Sequence, residues 1–221
     1  MTSPLYTLYY GPGMANLAPH MVLEELGVPH ALVQVDAKSG EHRREPYLSL
    51  NPTGRIPVLL DHAPDAGGRP IFETAAIMLH LADRHPEGGV MPPVGSPDRA
   101  LAYQWLIHLT NTVQPAYVMY YYPERFVSDP GTAPDVMATA QARLMEMFAL
   151  LDRALEGRDW LVGDRPTLAD LFLLMMVRWG RNFAGRKPRD LPNLSRHAAA
   201  VMARPAIRRA FAAEGLAEPF Y

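Results

Sequence analysis

The residues of this chain best suited to chemistry are the run Asn51-Pro52-Thr53-Gly54-Arg55-Ile56-Pro57-Val58-Leu59 and the pair Glu73-Thr74 at the mouth of an apolar helix. An Ile-Pro bond adopts the cis form at a cost of only about 0.5–1 kcal/mol, and a cis bond at Ile56-Pro57 would turn the Ile56 N–H and C=O outward beside a strand edge. That is a docking edge for a peptide-like ligand. A helix opening at Thr74 aims free N–H groups at the same place, and such a terminus favours a carboxylate. One site can then hold a small acidic peptide by its backbone and its charge.

Such a site needs a scaffold. The chain has 221 residues, 48% of them hydrophobic, enough for one large domain or two modest ones. Met1 to Tyr10 lacks a basic stretch followed by an apolar h-region, and no run approaches about 18 apolar residues, so a cytoplasmic protein without membrane association is expected. The 21 Lys+Arg against 23 Asp+Glu leave a net charge of -2, which argues against a nucleic-acid surface. The basic group Arg178, Arg181, Arg186, Lys187 and Arg189 reads as a solvated helix face. Zero cysteines exclude disulfides, thiolate metal sites and a protein thiol nucleophile, so any sulfur chemistry must arrive with a ligand.

Tyr6 to Tyr10 reads as a strand stopped by the Gly11-Pro12-Gly13 turn. A helix follows with Leu17, Met21, Val22 and Leu26 on one face, and Gly27 ends it before a strand over Ala31 to Val35. That is a right-handed βαβ unit. Pro57 to Leu60 and Pro70 to Phe72 predict a hairpin, and Thr74 to Arg84 a helix, so the first eighty-odd residues follow the order of a thioredoxin-like sheet. Residues 1–86 are therefore assigned to an α/β domain and the Pro/Gly-dense residues 87–97 to a linker.

Residues 98–221 read as all-helical. Leu101, Trp105, Leu109, Val113 and Tyr117 step by four along one long helix, and Met137, Ala140, Leu144, Met147, Leu151 and Leu155 mark its antiparallel neighbour. Leu171 to Trp179 is apolar almost all round and predicts a buried central helix, opened by a Thr167/Asp170 capping box. His20 reads as a packed histidine because no second histidine or carboxylate at metal spacing accompanies it, and no metal is expected; Glu24-Glu25 reads as solvated helix surface.

A thioredoxin-like half with proline at Ile56-Pro57, a Glu73-Thr74 helix start, a Pro-rich linker and a helical half with the Thr167/Asp170 box resembles the cytosolic glutathione S-transferase family. The likeness covers nearly the whole chain. Leu8-Tyr9-Tyr10-Gly11-Pro12-Gly13-Met14-Ala15-Asn16-Leu17-Ala18-Pro19-His20 is similar to the start of the bacterial beta-type enzymes, as are Phe72-Glu73-Thr74-Ala75-Ala76-Ile77-Met78 and Ala82-Asp83. The resemblance implies a homodimer in which glutathione is co-substrate and its sulfur attacks a small apolar electrophile held by the helical half, a detoxifying conjugation with peroxidase, isomerase or dehalogenase variants. It implies that Ile56, followed by Pro57, pairs its backbone with the cysteinyl part of glutathione, that Glu73 and Thr74 hold the γ-glutamyl end, and that Arg55 contacts the tripeptide.

The chain departs from the beta-type pattern at the catalytic position, where those enzymes have Cys-Ser and this chain has Ala15-Asn16. Two polar positions of their helical half appear here as Ile107 and Gln114. A mixed disulfide with glutathione is impossible. The thiolate would then be stabilised by the Asn16 amide and the positive start of the first helix, or by the Tyr10 hydroxyl at the end of the first strand. Core packing of Tyr10 and N-capping by Asn16 are the structural alternatives. Tyr121 is a candidate pocket-lining residue of the helical half. The alternative for the whole chain is a non-catalytic binding or protein-interaction module on the same scaffold.

Overall fold

In β1 (Tyr6–Tyr10) alternate residues Tyr6 and Leu8 are fully buried, as expected of a strand with one face on the core. A computed structural model describes residues 3–221, and its α/β part follows the sequence closely. β1 runs into α1 (Leu17–Leu26), whose end is closed by Gly27 in the left-handed conformation at φ 64°, and then into β2 (His30–Gln34), which pairs parallel to β1. A short α2 (Tyr47–Leu50) precedes the hairpin β3 (Val58–Asp61) and β4 (Pro70–Phe72), and α3 (Thr74–Arg84) follows. The sheet order is β2-β1-β3-β4, with β3 antiparallel to both neighbours. This is the thioredoxin-like arrangement.

The chain divides into two compact units. The first comprises the chain up to Met91 and, in addition, Arg204–Ala217; the second comprises Pro92–Ala203 and Glu218–Tyr221. Sequence reading had placed residues 98–221 together, but the last helix packs elsewhere for a physical reason. The Arg204 guanidinium makes a two-pronged pair with Glu25 at 2.6 and 2.6 Å, Arg209 Nε donates to Glu24 at 2.6 Å, and Ile207, Ala210 and Phe211 are buried. Glu24 and Glu25 are consequently half-buried ion-pair partners rather than bare helix surface.

The second unit is helical: α4 (Pro97–His108), α5 (Gln114–Tyr121), α6 (Ala133–Ala154), α7 (Leu168–Trp179) and α8 (Pro192–Met202), with α9 (Pro205–Ala213) belonging to the first unit. Between α4 and α5 lies a π-helical turn over Leu109–Val113. Pro115 lacks the N–H that would continue the ladder, which accounts for the widened turn just before it. Ala102 and Leu106 are buried while Leu101 is 41% exposed, because positions spaced strictly by four drift about 40° per step around a helix of 3.6 residues per turn. On α6 the buried stripe is Ala140, Leu144, Phe148 and Leu151, and Met137 lies outside it. All residues of α7 from Leu168 to Arg178 are buried. Arg178, expected at a solvated face, is 4% exposed and donates to the Phe220 carbonyl at 2.6 Å, while Arg189 donates to the Tyr221 carbonyl at 2.9 Å. No helix among the described residues is long and apolar enough to cross a membrane.

His108 ends α4 with its Nε2 buried and unpartnered among the described residues, and desolvation holds its imidazole below the ordinary histidine value of 6.5. The unfolded chain therefore takes up this proton first as pH falls. The stability contribution is full above about pH 6.5 and is lost as pH drops towards the depressed folded value. Replacing His108 by glutamine is expected to flatten the decline of the urea midpoint between about pH 7 and pH 5. Parallel pH series of wild type and variant with the same slope would contradict this.

Candidate functional site

The end of β1, the start of β3 and the end of β4 lie at one end of the sheet, because β1 and β4 both run antiparallel to β3: Tyr9 pairs with Val58 and Val58 with Phe72. Ile56-Pro57 and Glu73 are the next residues outward from those pairs, and the loop into α1 leaves from the same end. The three elements named by the sequence are thereby gathered by strand register alone.

The loop before β3 is built by Asn51, which is 1% exposed. Its Oδ1 accepts from the Thr53 N–H at 3.0 Å and hydroxyl at 2.8 Å, while its Nδ2 donates to the Arg55 carbonyl at 2.7 Å; the Tyr47 hydroxyl donates to the same carbonyl at 2.8 Å. Gly54 has φ 59°, and a Cβ there would meet the His42 carbonyl at 3.1 Å, so glycine fits both the turn and the close approach. The Arg55 side chain is left exposed. The Ile56–Pro57 bond is cis. Among the described residues the Ile56 N–H and C=O have no hydrogen-bond partner. Its side chain packs on the cluster of Val35, Tyr47 and Val58 beneath it.

At α3 the Thr74 hydroxyl donates to the Ala15 carbonyl at 3.1 Å, tying the start of α3 to the start of α1. Thr74 itself is buried. Glu73 has φ 74° and ψ 118°, caps nothing with its side chain and is exposed. A non-glycine residue in that region costs about 1–3 kcal/mol and persists only where the surroundings impose it. Glu73→Gly is therefore expected to raise stability by about 1 kcal/mol in urea unfolding. No gain would mean that the backbone there is unstrained.

The entry to α1 differs from expectation. Asn16 is fully buried: its Oδ1 accepts the Gly11 N–H at 3.0 Å and its Nδ2 donates to Glu214 Oε1 at 2.9 Å. It makes no side-chain capping bond to α1. The amide is a brace for the Gly11-Pro12-Gly13 turn. Glu214, just past α9, is 4% exposed and also accepts from His20 Nδ1 at 2.8 Å and, through Oε2, from the Gly13 N–H at 2.8 Å. Sequence reasoning missed Glu214, and no local signal marks it. The backbone N–H groups of Ala15 and Asn16 have no acceptor among the described residues. A Cβ at Gly11 would meet Met14 Sδ at 2.6 Å and Ile56 Cδ1 at 3.6 Å, which shows how near Ile56 stands to the α1 entry. The half-buried Met14 is a second residue the sequence did not single out.

Tyr10 is half-buried, and its hydroxyl donates to Gln34 Oε1 at a long 3.4 Å. Gln34 is on β2, whereas Ile56 precedes β3, and these strands flank β1 on opposite sides. The hydroxyl thus leans away from the Ile56 edge. In the second unit Ile107 is 47% exposed, Gln114 takes a long 3.4 Å bond from Thr110, and the Tyr121 hydroxyl donates to the Trp179 carbonyl.

The chain thus combines a thioredoxin-like unit, with an unpaired backbone edge and two helix starts at one sheet end, and an all-helical second unit. Residues 4–83 match the glutathione S-transferase N-terminal domain family, and residues 113–205 the glutathione S-transferase C-terminal domain family. Glutathione S-transferase GstA of Escherichia coli O157:H7 is 31% identical over 214 residues, 95% of this chain and 98% of that protein. A solved sphingomonad glutathione S-transferase complexed with glutathione is similar at 32% identity and TM-score 0.81, covering 96% of this chain and 100% of the other. The glutathione S-transferase from Xylella fastidiosa is similar at 27% identity and TM-score 0.85, again over 96% and 100%. The chain belongs to the glutathione S-transferase family.

Proposed function

We propose that the chain is a cytoplasmic, homodimeric glutathione-dependent transferase, with glutathione as co-substrate and a small apolar electrophile or organic peroxide as acceptor. The observation that carries this reading is the unpartnered Ile56 backbone at the same sheet end as the Glu73-Thr74 and Ala15-Asn16 helix starts. Ile56 pairs with the cysteinyl backbone, the α3 start receives the γ-glutamyl carboxylate, the Glu73 carboxylate faces the γ-glutamyl ammonium, and Arg55 reaches the tripeptide from the rim.

The reaction requires a thiolate at neutral pH. A thiol with pKa about 8.5 is ~3% ionised at pH 7, and a pKa of about 6.5 gives roughly 75%, a difference of about 2.7 kcal/mol. With the Asn16 amide braced inward, the proposed source is the pair of free N–H groups at Ala15 and Asn16 together with the α1 dipole. Asn16 then acts by positioning them. The thiolate attacks the electrophile and its leaving group departs, so the nucleophile belongs to the ligand throughout.

The test is the ultraviolet thiolate absorbance of bound glutathione. Tyr10→Phe is expected to leave it unchanged, because that hydroxyl leans towards Gln34; a lost signal would return the role to Tyr10. A crystal soaked with glutathione would show directly which groups lie within about 3–3.5 Å of the sulfur. The inward Asn16 amide favours one second reading, a glutathione-binding module without catalysis. Glutathione binding with no conjugation of a generic aryl halide would establish it.

A further inference from the structure

The fold assembles a group of side chains that the glutathione reading does not use. His20, Glu24 and His30 each bring one potential ligand atom to a common point, all within 4.8 Å of one another. From the sequence His20 had no histidine or carboxylate at metal spacing, yet Glu24 lies one helical turn further along α1 and the parallel βαβ crossover delivers His30 at the start of β2. The two imidazole rings meet edge to face with centroids 5.7 Å apart.

The hydrogen bonds on the far side of each ring determine which atoms face inward. His20 Nδ1 lies 2.8 Å from Glu214 Oε1, and an ionised carboxylate only accepts, so Nδ1 carries the proton. His30 Nδ1 lies 2.9 Å from the Val28 carbonyl, which also only accepts. With Nδ1 carrying the proton, Nε2 is in each ring the nitrogen left with a lone pair. His20 Nε2 is buried with no partner, on a side chain that is 0% exposed. Glu24 Oε2 is taken by Arg209 Nε at 2.6 Å, leaving Oε1 3.7 Å from His30 Nε2, too far for a hydrogen bond. Three acceptors thus converge with no donor between them. Second-sphere bonds of this kind, carboxylate to histidine and backbone carbonyl to histidine, are those that orient metal-bound imidazoles.

We propose that His20 Nε2, His30 Nε2 and Glu24 Oε1 form a binding site for a divalent transition cation of the zinc class. Two imidazoles and a carboxylate suit zinc, cobalt and nickel and do not suit calcium or magnesium. In a tetrahedral zinc site, ligand atoms about 2.0–2.1 Å from the metal stand about 3.3–3.5 Å apart, so small side-chain rotations close the group and water takes the fourth position. Glu24 and His30 are 17% and 14% exposed at the side chain, which supplies an entrance, while His20 forms the buried floor. The bound cation would pin α1 to the start of β2 and, through His20 and Glu214, to the chain beyond α9.

The test uses untagged full-length protein stripped by a chelator and titrated with Co²⁺ alone, following the visible ligand-field bands, with Zn²⁺ competition and calorimetry. One Co²⁺ per chain is expected, with intensity typical of a four-coordinate site and displacement by Zn²⁺. His20 braces the α1 entry through Glu214, so the decisive variants are His30→Ala and Glu24→Gln, each checked for retained fold by circular dichroism. Each is expected to weaken Co²⁺ binding by about 100-fold. Absence of stoichiometric binding to the wild type would overturn the proposal. So would binding undiminished in both variants. Neither result bears on the glutathione site, whose thiolate signal is read separately.

Discussion

Replacing Asp170 by alanine is expected to destabilise the chain by about 3–5 kcal/mol, the range found when one member of a buried charged network is removed. Asp170 is 0% exposed. Its Oδ2 accepts the Thr167 N–H at 2.7 Å and the Thr167 hydroxyl at 3.0 Å, and its Oδ1 accepts the Leu161 N–H at 2.9 Å and His197 Nε2 at 2.9 Å. Alanine would strand all four donors in a dry interior at the head of α7, the buried helix of the second unit. Since ordinary domains are stable by about 5–15 kcal/mol, a large part of the margin goes with this one carboxylate. Urea unfolding measures it. Thr167→Ala, which leaves the other donors to Asp170 in place, should cost only about 1–2 kcal/mol. Equal losses in the two variants would show that the capping box, and not the whole network, is what Asp170 supplies.

The second large effect is expected at Glu214. Its two oxygens collect Asn16 Nδ2, His20 Nδ1 and the Gly13 N–H, so one carboxylate holds both the turn before α1 and the first turns of the helix. Glu214→Gln keeps the volume but turns an N–H₂ group against donors. A stability loss of about 2–4 kcal/mol is expected from that mismatch. Conjugation with glutathione should fall further, by about 10²-fold in kcat/KM, because the Ala15 and Asn16 N–H groups lose their fixed position and small misplacements carry such penalties. Assays at 25 °C on the folded fraction separate the two losses. Full activity in folded Glu214→Gln would exclude the α1 entry as the source of thiolate stabilisation.

Much of this was written in short stretches of chain. The strands and helices of the α/β part follow from period-two and period-3.6 patterns punctuated by Gly11-Pro12-Gly13, Gly27 and the Asp61–Arg69 turn, and those forces act over a few residues. The Thr167/Asp170 box is legible because both partners lie within one helical turn. The Ile56-Pro57 and Glu73-Thr74 elements were recognisable for the same reason. Where the sequence misled, a local feature met a distant partner. Arg178 left solvent to hold the Phe220 carbonyl, and the Asn16 amide turned inward to Glu214.

The division is sharpest at the α1 entry. By itself the sequence determined that the chain supplies no thiol of its own and that Ile56, Glu73 and Thr74 sit at element ends. Only the tertiary structure decided the fate of Asn16 and His20, because Glu214 stands 198 and 194 positions away in sequence and nothing in the intervening pattern specifies that pairing. Hydrophobic periodicity tells a segment which face to bury. It carries no information about which polar groups will meet once two buried faces close on each other, and the bracing of Asn16, like the convergence of His20, Glu24 and His30, is a product of that closure.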